Sequence, residues 1–559
     1  MKRNLSALTN TVYDLLVVGG GIYGACVAWD AALRGLQVGL IEKSDFGSAT
    51  SANSLKIIHG GLRFLQYGDV RRMREYIRER RTWMRIAPHL IHPLPVVVPI
   101  YGRFGWSKQL LSLALLLNDA ISFDRNRAAN PDKFIPPGRV VSKSECLQLV
   151  PGITQQDLTG GMVFHDAQVY DTERLLLSII RAADKAGATL VNYVKVLGFL
   201  RSGSQVRGIE AQDVLTGDGF EIQARNVVNT CGPWLNPGLG LLNGSPPAGH
   251  YAAAINLVTR PLWEKYAVGI SGANGYDDSN MLIPKKSSLL FVTPWRNRSI
   301  IGTKYRKYQG PPDEFRVTEK DILEFIDDIK VACPTAALGL EDVTSVHGGL
   351  LPCTQTSGAA GMVDLLKKHQ IIDHQKDGLN GVLSVVGVKY TMARFVAEKV
   401  VDRLFENRKQ KAPRSRTTVT PIYGGEMDRV ESFVRAAIKN ETGGLNEKSI
   451  RLLIHTYGSK YSEVLQHVEL GGPHELNEDF AVLKAKVLHA VRDEMAQKLS
   501  DVVFRRTDLA SAGHPGNEAL RICVEAMGAE LGCGPERFRT ELNEISRVFH
   551  IGGNNQIAA

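Results

Sequence analysis

The segment Tyr13–Glu42 reads YDLLVVGGGIYGACVAWDAALRGLQVGLIE and decides the fold of this chain. Its apolar run Leu15–Val18 has the length and composition of a buried parallel strand. Gly19, Gly21 and Gly24 follow at GxGxxG spacing and open a helical pattern. In this context the spacing is typical of a turn whose backbone N–H groups, at a helix N-terminus, face a pyrophosphate. The segment therefore predicts a Rossmann-like βαβ unit that binds a nucleotide cofactor.

A second predicted strand, Gln37–Ile41, ends at Glu42. This carboxylate stands near the spacing of about 20 residues at which an acid hydrogen-bonds the adenosine ribose, and it disfavours the 2′-phosphate of NADP. The motif alone does not choose between FAD and NAD. Its place near the N-terminus favours a flavoprotein whose other strands come from distant parts of the chain. A purely structural glycine turn is the alternative, but every element of the unit occurs in order.

The composition of the chain indicates how many domains it forms and which partners and sites it does not predict. With 559 residues, 44% hydrophobic and 22% charged, the chain is expected to form about three globular domains. The net charge of +9 does not discriminate between anionic partners, and the Arg-rich segment 71–85 has the charge pattern of a solvated helix face, so no nucleic-acid partner is predicted. The seven cysteines are scattered without CxxC pairs, which predicts neither disulfides nor a metal site.

The N-terminal residues and the apolar runs of the chain predict a cytoplasmic protein. Residues 1–10 lack the pattern of a signal peptide, and the richest apolar run, Leu110–Leu117, is too short to cross a bilayer. That run suits either a buried helix or an interfacial one. Peripheral contact with the inner face of the membrane is therefore kept as an expectation.

Periodicity along the chain predicts three structural units. Residues 1–406 are expected to form a discontinuous α/β nucleotide-binding domain, with an antiparallel β substrate domain inserted mainly at 65–160 and 235–355. Residues 407–420 are basic and polar, which indicates a linker. Residues 421–559 are nearly all helical in pattern and predict an all-α C-terminal domain.

Four further segments resemble signatures of the FAD-dependent glycerol-3-phosphate dehydrogenase family. The first is KIIHGGLRFL at Lys56–Leu65, and the second is VVNTCGPW at Val227–Trp234. The third is VGVKYTMAR at Val386–Arg394, and the fourth is AVRDEMAQKLSDVVFRRT at Ala490–Thr507. Their order matches that of the family, and the resemblance covers nearly the whole chain.

The resemblance implies a fold and an activity. It implies noncovalent FAD in a mixed α/β domain of the D-amino-acid-oxidase type, with an antiparallel β substrate domain and a helical C-terminal domain. The implied reaction is oxidation of sn-glycerol 3-phosphate to dihydroxyacetone phosphate, with electrons passed to quinone or, in the oxidase branch, to oxygen. A homodimer is also expected.

The resemblance further assigns roles to individual residues. His59 is expected to act as a base or to polarise the alcohol, Arg63 to hold the substrate anion, and Lys389 to place a cation beside the flavin. Without the resemblance these would read as a structural histidine, a surface arginine and a solvated lysine. The expected cofactor-binding residues are Gly19, Gly21, Ile22, Tyr23, Gly24, Glu42, Lys43, Thr50, Ser51, Ser54, His59, Gly60, Val196, Thr230, Gly232, Trp234, Gly387, Lys389, Tyr390 and Thr391.

Departures from the family pattern fall on the substrate side. Phe64 stands where a tyrosine follows the signature arginine, and Leu351, in GLLPC, stands where the family has a substrate-binding arginine. Because a charged hydrogen bond contributes about 1.5–3 kcal/mol, losing that arginine predicts roughly tenfold to hundredfold weaker binding unless another cation replaces it. Lys304 and Arg306 are the expected replacements and hence the expected substrate-binding residues.

Three functions remain open from the sequence alone. The first is a glycerol-3-phosphate dehydrogenase that passes electrons to quinone. The second is a related flavoenzyme that oxidises another hydroxylated phosphate, phosphonate or small hydroxy compound, which Leu351 favours. The third is a flavin-binding protein that has lost catalysis, although the presence of His59, Arg63 and Lys389 weighs against it.

Overall fold

The computed structural model describes residues 1–102, 108–127, 130–235, 250–271, 289–353, 363, 365–387, 389–440, 444–468, 478–549 and 557–558. Val388, inside the third signature, lies outside this part of the chain. The helices are α1 (Leu5–Thr9), α2 (Ile22–Leu33), α3 (Val70–Ile86), α4 (Lys108–Ile121), α5 (Lys143–Leu149), α6 (Thr172–Lys185), α7 (Glu319–Ala332), α8 (Ala393–Asn407), α9 (Val430–Asn440), α10 (Glu447–Tyr457), α11 (Tyr461–Leu465), α12 (Glu478–Glu494), α13 (Leu499–Asp501), α14 (Asn517–Leu531) and α15 (Pro535–Phe549).

The strands lie mainly before the C-terminal helices. They are β1 (Leu15–Val18), β2 (Val38–Ile41), β3 (Ile57–Ile58), β4 (Ile91–Tyr101), β5 (Arg139–Ser142), β6 (Leu158–Val169), β7 (Thr189–Val191), β8 (Val194–Ser202), β9 (Gln205–Asp213), β10 (Gly219–Gln223), β11 (Val227–Asn229), β12 (Tyr251–Thr259), β13 (Ala267–Ser271), β14 (Leu289–Trp295), β15 (Arg298–Tyr308), β16 (Arg316–Val317), β17 (Val343–Pro352), β18 (Gln370–Asp373), β19 (Val382–Val386) and β20 (Ile557–Ala558).

A six-stranded sheet forms the nucleotide-binding domain. Its strand order is β18-β19-β11-β1-β2-β7, and all neighbours are parallel except β18, which runs antiparallel to β19. The apolar strands are buried because helices α2, α6 and α8 cover one face and the β8–β9–β10 sheet covers the other. Strands β11 and β19 join this sheet from distant parts of the chain, as the sequence predicts for a flavoprotein.

A larger sheet of mostly antiparallel strands forms the substrate domain. Its order is β17-β12-β15-β14-β13-β4-β6-β3, with β5 paired to β6, and β13 and β4 are parallel. Helix α7 packs Ile322, Phe325 and Ile329 into an apolar core beneath this sheet. The sheet therefore presents one face to α7, and parts of its opposite face are free to line a cleft.

The C-terminal helices form two apolar cores of their own and are tied to the nucleotide-binding domain by buried ion pairs. Arg174 on α6 donates to both carboxylate oxygens of Glu494 on α12, at 2.8 Å. Arg506, in a π-helical turn at Val502–Arg506, binds Asp45 in the loop after β2. These contacts link the fourth signature to the nucleotide-binding domain.

Residues 407–420 pack against the nucleotide-binding domain along part of their length. Thr417 is fully buried and accepts a hydrogen bond from Arg394 on α8 at 2.9 Å, while Ser415 donates to Asp30 on α2. A polar segment that carries such contacts is held in place, although its composition suggests a free linker.

Helix α4 contains the apolar run Leu110–Leu117, for which the sequence predicts either a buried or an interfacial helix. Leu115 is buried, but Leu113 and Leu116 are 52% and 66% exposed. The run therefore lies on the surface with one anchoring leucine and is only partly buried. Among the described helices, none is long and apolar enough to cross a membrane.

Candidate active site

A cleft of about 2040 Å³ lies between the two large sheets. Gly19, Glu42, Thr230 and Gly387 line it, and each comes shortly after one of the parallel strands β1, β2, β11 and β19. The cleft thus opens at the carboxyl ends of the parallel strands, which is where ligands bind in open α/β sheets.

The glycine-rich turn has the geometry that the sequence predicts. Gly19 has φ +103°, a conformation that favours glycine, and its N–H donates to Ile41 at 2.8 Å. A Cβ on Gly24 would lie 1.9 Å from the Gly19 carbonyl oxygen, so only glycine allows helix α2 to approach β1 this closely. The N-cap Gly21 makes no side-chain cap, and the first helical N–H, of Ile22, donates to Ser51 Oγ at 3.0 Å. Helix α2 therefore begins at the cleft.

Glu42 accepts hydrogen bonds from the two loops next to that turn. Its two carboxylate oxygens accept the backbone N–H groups of Gly20, at 2.6 Å, and Ser44, at 2.9 Å. Burial raises the pKa of Glu42, and these two hydrogen bonds partly oppose the rise. A carboxylate has about four lone-pair sites, so the two bonds leave acceptor capacity for ribose hydroxyls.

Lys43 and Trp234 meet at the mouth of the cleft. The Lys43 ammonium lies 4.1 Å from the centre of the Trp234 ring, and both side chains donate to Asp313 Oδ1 at 2.8 Å. Asp313 belongs to the turn before β16 of the substrate domain. This contact joins the two domains next to Glu42.

Two signature segments that are far apart in sequence meet on the opposite side of the cleft. The backbone N–H of His59 donates to Thr391 Oγ1 at 3.1 Å. Tyr23, in the first turn of α2, donates its hydroxyl to the Lys389 carbonyl at 2.8 Å and accepts the Lys389 N–H at 3.2 Å. The βαβ unit, the KIIHGGLRF segment and the VGVKYTMAR segment therefore converge around His59 and Lys389.

The surroundings of Lys389 disfavour its charged form. Burial and, to a smaller extent, the positive charge of Arg63 together lower its pKa to about 8. Arg63 itself is exposed, lies outside the lining of the cleft, and donates to the Tyr67 hydroxyl at 3.4 Å. The charge of Arg63 is thus close enough to affect the ionisation of Lys389. Lys389 lines the cleft, whereas Arg63 lies on the surface next to it.

Most of the predicted cofactor-binding residues line the cleft. They are Gly19, Gly21, Ile22, Tyr23, Glu42, Lys43, Thr50, Ser51, Ser54, His59, Val196, Thr230, Gly232, Trp234, Gly387, Lys389, Tyr390 and Thr391. Gly24 and Gly60 do not. Gly24 serves the contact between helix and strand, and a Cβ on Gly60 would lie 2.2 Å from the guanidinium of Arg80. Gly60 is therefore needed for packing against Arg80 and does not form the cleft wall.

Lys304 and Arg306 do not reach the cleft, which corrects the expectation that they replace the missing family arginine. Lys304 donates to Asp328 at 2.8 Å and Arg306 to Asp321 at 3.1 Å, both on α7. Side chains alternate along β15, so Thr303 and Tyr305 face the cleft instead. Leu351 lines the same cleft from β17. The wall of the substrate domain is therefore neutral at these three positions.

Asp166 of β6 is a further residue of the site that the sequence does not predict. Its Oδ2 lies 3.1 Å from Nδ1 of His59, and its Oδ1 accepts the Gly60 N–H at 2.6 Å. Burial opposes ionisation, but His59, Arg80 and the Gly60 N–H together hold the pKa of Asp166 below its usual range. Asp166 stands near the end of β6 with His165 and Gln168 close by, so no local sequence signal marks it as part of the site.

Comparison with known proteins agrees with this geometry. Residues 14–437 match the family of FAD dependent oxidoreductases, and residues 415–538 match the C-terminal domain of alpha-glycerophosphate oxidase. The chain is 33% identical to a glycerol-3-phosphate dehydrogenase of Synechocystis sp., covering 91% of both chains. It is 27% identical to the alpha-glycerophosphate oxidase of Enterococcus casseliflavus, covering 91% of this chain and 89% of that one.

A solved structure shows the same fold. The glycerol-3-phosphate dehydrogenase of Bacillus halodurans complexed with FAD superposes with a TM-score of 0.75 and 24% identity, covering 98% of this chain and 96% of that chain. The predicted arrangement of a Rossmann-like domain, a β-rich substrate domain and a helical C-terminal domain is confirmed. From its family match and its relatives, the chain is an FAD-dependent oxidoreductase that belongs to the glycerol-3-phosphate dehydrogenase family.

Proposed function

We propose that the protein oxidises sn-glycerol 3-phosphate to dihydroxyacetone phosphate. The observation that carries this proposal is the convergence of His59, Thr391 and Lys389 on one side of the cleft, where the β3 edge of the substrate-domain sheet meets the nucleotide-binding domain. This arrangement gives a reacting alcohol an imidazole and a cation in one enclosed space, which are the groups that proton removal and anion binding require.

The residues around the cleft fit FAD. The N-terminus of α2 faces the cleft, and its N-cap Gly21 has no side chain to cover it, which suits a pyrophosphate. Gly232 adds open space, since a Cβ there would meet no atom within 4 Å. The volume of about 2040 Å³ also exceeds the roughly 300–1,000 Å³ of a typical small-molecule pocket, as an extended dinucleotide together with a substrate requires.

Each part of the cleft then has a role in binding. The turn at Gly19–Gly21 and Ser51 would hold the pyrophosphate, and Glu42 the adenosine ribose. Lys389 and Thr391 would hold the pyrimidine edge of the flavin. The flavin supplies the chemistry of hydride acceptance. His59 takes up the alcohol proton, and Lys389 offsets negative charge that develops next to it.

The substrate phosphate is proposed to contact Arg63. Arg63 is exposed and lies close enough to Lys389 to lower its pKa, which supports a position at the entrance of the cleft. An anionic group bound there would leave the carbinol carbon deeper in the cleft, toward His59. A guanidinium binds phosphate oxygens in pairs, so this single contact also orients the substrate.

A second candidate is oxidation of another hydroxylated phosphate, phosphonate or small hydroxy compound. The neutral wall of Thr303, Tyr305 and Leu351 favours it, because this wall offers no cation to a phosphate. Turnover measured with one electron acceptor across sn-glycerol 3-phosphate, its enantiomer, glycerol, 2-hydroxy acids and hydroxyalkyl phosphonates separates the two. The first function requires the highest kcat/KM with sn-glycerol 3-phosphate, and a higher value for any other compound would reject it.

The electron acceptor is proposed to be a quinone, with oxygen as the alternative. Rates with a soluble quinone under nitrogen, compared with rates in air without quinone, decide between them. A rate in air equal to the quinone rate would assign the protein to the oxidase branch. We also propose a homodimer, and light scattering of the full chain would reject it by giving the mass of a monomer.

Peripheral membrane contact is proposed to occur through α4. Its exposed Leu113 and Leu116 form an apolar strip, and the net charge of +9 favours an anionic surface. Sedimentation with anionic phosphatidylglycerol vesicles tests this contact. Leu113→Glu together with Leu116→Glu should reduce the bound fraction, whereas Val331→Glu, a control at a position that is 66% exposed on α7, should not. Equal binding by all three proteins would contradict the proposal.

A further inference from the structure

The buried side chain of Asp166 contacts His59, the proposed catalytic histidine, from the interior of the protein. The side chain of His59 is 44% exposed toward the cleft, whereas that of Asp166 is only 12% exposed. Three donors converge on the Asp166 carboxylate: the imidazole Nδ1 of His59, the backbone N–H of Gly60, and the guanidinium of Arg80 at 3.3 Å. The carboxylate therefore has three hydrogen-bond donors, and Asp166 does not line the cleft.

Strand pairing places the two residues side by side. In the antiparallel ladder between β3 and β6, Ile58 is opposite Ala167, so the next residue along β3 comes level with Asp166. Gly60 then follows with its N–H directed at the same carboxylate. Helix α3 brings Arg80 onto Gly60 from behind, and this contact leaves no room for a side chain at position 60. The pair is thus fixed by backbone register, and rotation of long side chains contributes little to it.

This arrangement selects one tautomer of His59. An ionised carboxylate can only accept hydrogen bonds, so the imidazole nitrogen facing it must carry a hydrogen. That nitrogen is Nδ1. In the neutral ring the lone pair is then on Nε2, and His59 lines the cleft. The opposite tautomer would set the Nδ1 lone pair against the negative carboxylate.

We propose that Asp166 is the positioning residue for the reaction: it holds His59 in the tautomer whose Nε2 accepts the proton of the substrate alcohol. This inference rests on the proposed alcohol oxidation. Conversion of the alcohol to a ketone breaks one O–H and one C–H bond. The proton would pass from oxygen to His59 Nε2, the hydrogen on carbon would leave with its electron pair, which FAD would accept when bound, and the C=O bond would form. The imidazolium then releases the proton to solvent.

Asp166→Asn tests this role with little change in shape. Gly60 and Arg80 both donate to Oδ1, so they keep the amide oxygen on their side. The amide NH₂ group is then left facing Nδ1 of His59, where it can only donate. The substitution should therefore move the ring proton from Nδ1 to Nε2, so that the base is blocked while the neighbouring contacts remain.

Two measurements should follow this change. The first is the nitrogen-15 chemical shift of His59 in histidine-labelled protein, assigned among the 14 histidines with His59→Gln. We expect the Nδ1–H tautomer in the unaltered protein and the Nε2–H tautomer in Asp166→Asn. The second is the rate of anaerobic flavin reduction by sn-glycerol 3-phosphate, which should fall by about 10²- to 10⁴-fold with FAD still bound.

Asp124→Asn is the matched control. Asp124 also pairs with arginines of α3, Arg74 and Arg81, but does not line the cleft. It should leave both the His59 tautomer and the reduction rate unchanged.

A purely structural role for Asp166 predicts a different result. The Nδ1–H tautomer retained in Asp166→Asn, or a reduction rate within about threefold of the unaltered enzyme, would overturn the proposal. If instead no compound reduces the flavin of the unaltered enzyme, the proposed function fails, and the tautomer measurement alone then decides whether Asp166 positions His59.

Discussion

Arg506 of the C-terminal domain binds Asp45, which stands three residues after Glu42 in the loop that borders the cofactor cleft. Both side chains are fully or almost fully buried. The fourth signature segment therefore supports the cleft through Arg506, which fixes the loop after β2, and Arg505 of the same segment lines the cleft. Through this ion pair the helical domain supports a loop of the cleft that we propose to bind FAD.

Replacing Arg506 by Met should destabilise the protein and weaken cofactor binding. Removing one partner of a buried ion pair costs about 3–5 kcal/mol, because the other charge is left buried and unpaired. Denaturant unfolding monitored by flavin release measures both effects. Arg521→Met, at an exposed ion-pair network on α14 of the same domain, is the control and should unfold as the unaltered protein does. Equal stability of both variants would show that the buried pair is not a structural link.

The same pair predicts a response to acid. Burial opposes ionisation of Asp45, but Arg506 and Arg505 more than offset it and lower the pKa to about 2. An acid whose pKa is depressed in the folded state stabilises the fold above its ordinary pKa of about 3.9. That contribution should be lost as the pH falls from about 4 toward 2, and Arg506→Met should lose less stability over this range. If the free energy of unfolding fell equally with pH in both proteins, the stabilisation would not come from the Asp45–Arg506 pair.

Lys389 predicts a pH dependence of flavin reduction near neutrality. Because burial lowers its pKa to about 8, the ammonium is present below that pH and is lost as the pH rises through it. If the charge supports reduction, the anaerobic rate should decline above pH 8, and Lys389→Met should be slower and lack that decline. Lys368→Met, which removes an exposed lysine of the neighbouring surface, is the control. If the reduction rate of Lys389→Met still declined above pH 8, the ionisation would belong to another group.

Leu351→Arg should increase the preference for phosphorylated substrates. The substitution places a cation on the neutral wall of the cleft, where a charged hydrogen bond contributes about 1.5–3 kcal/mol. We expect the KM for sn-glycerol 3-phosphate to fall by roughly tenfold to hundredfold, with little change for glycerol. Leu351→Met keeps the volume without the charge and should change neither value. A higher KM in Leu351→Arg would indicate that the leucine itself contacts the substrate.

The parts of the fold that depend on local sequence were predictable. The βαβ unit follows from the order of strand, glycines, helix and acid, and its bounds are close to those predicted. Lys304 and Arg306 were misplaced because side chains alternate along a strand, and the sequence does not reveal which face of β15 borders the cleft. Asp166 was missed because only the register between β3 and β6 brings it to His59, 107 residues away.

The proposed reaction can be observed by adding sn-glycerol 3-phosphate to the FAD-loaded enzyme under nitrogen and recording the visible absorbance of the flavin. We expect complete bleaching with formation of one equivalent of dihydroxyacetone phosphate per flavin, and far slower bleaching by glycerol. A flavin that dithionite bleaches but a saturating concentration of sn-glycerol 3-phosphate leaves oxidised would contradict it.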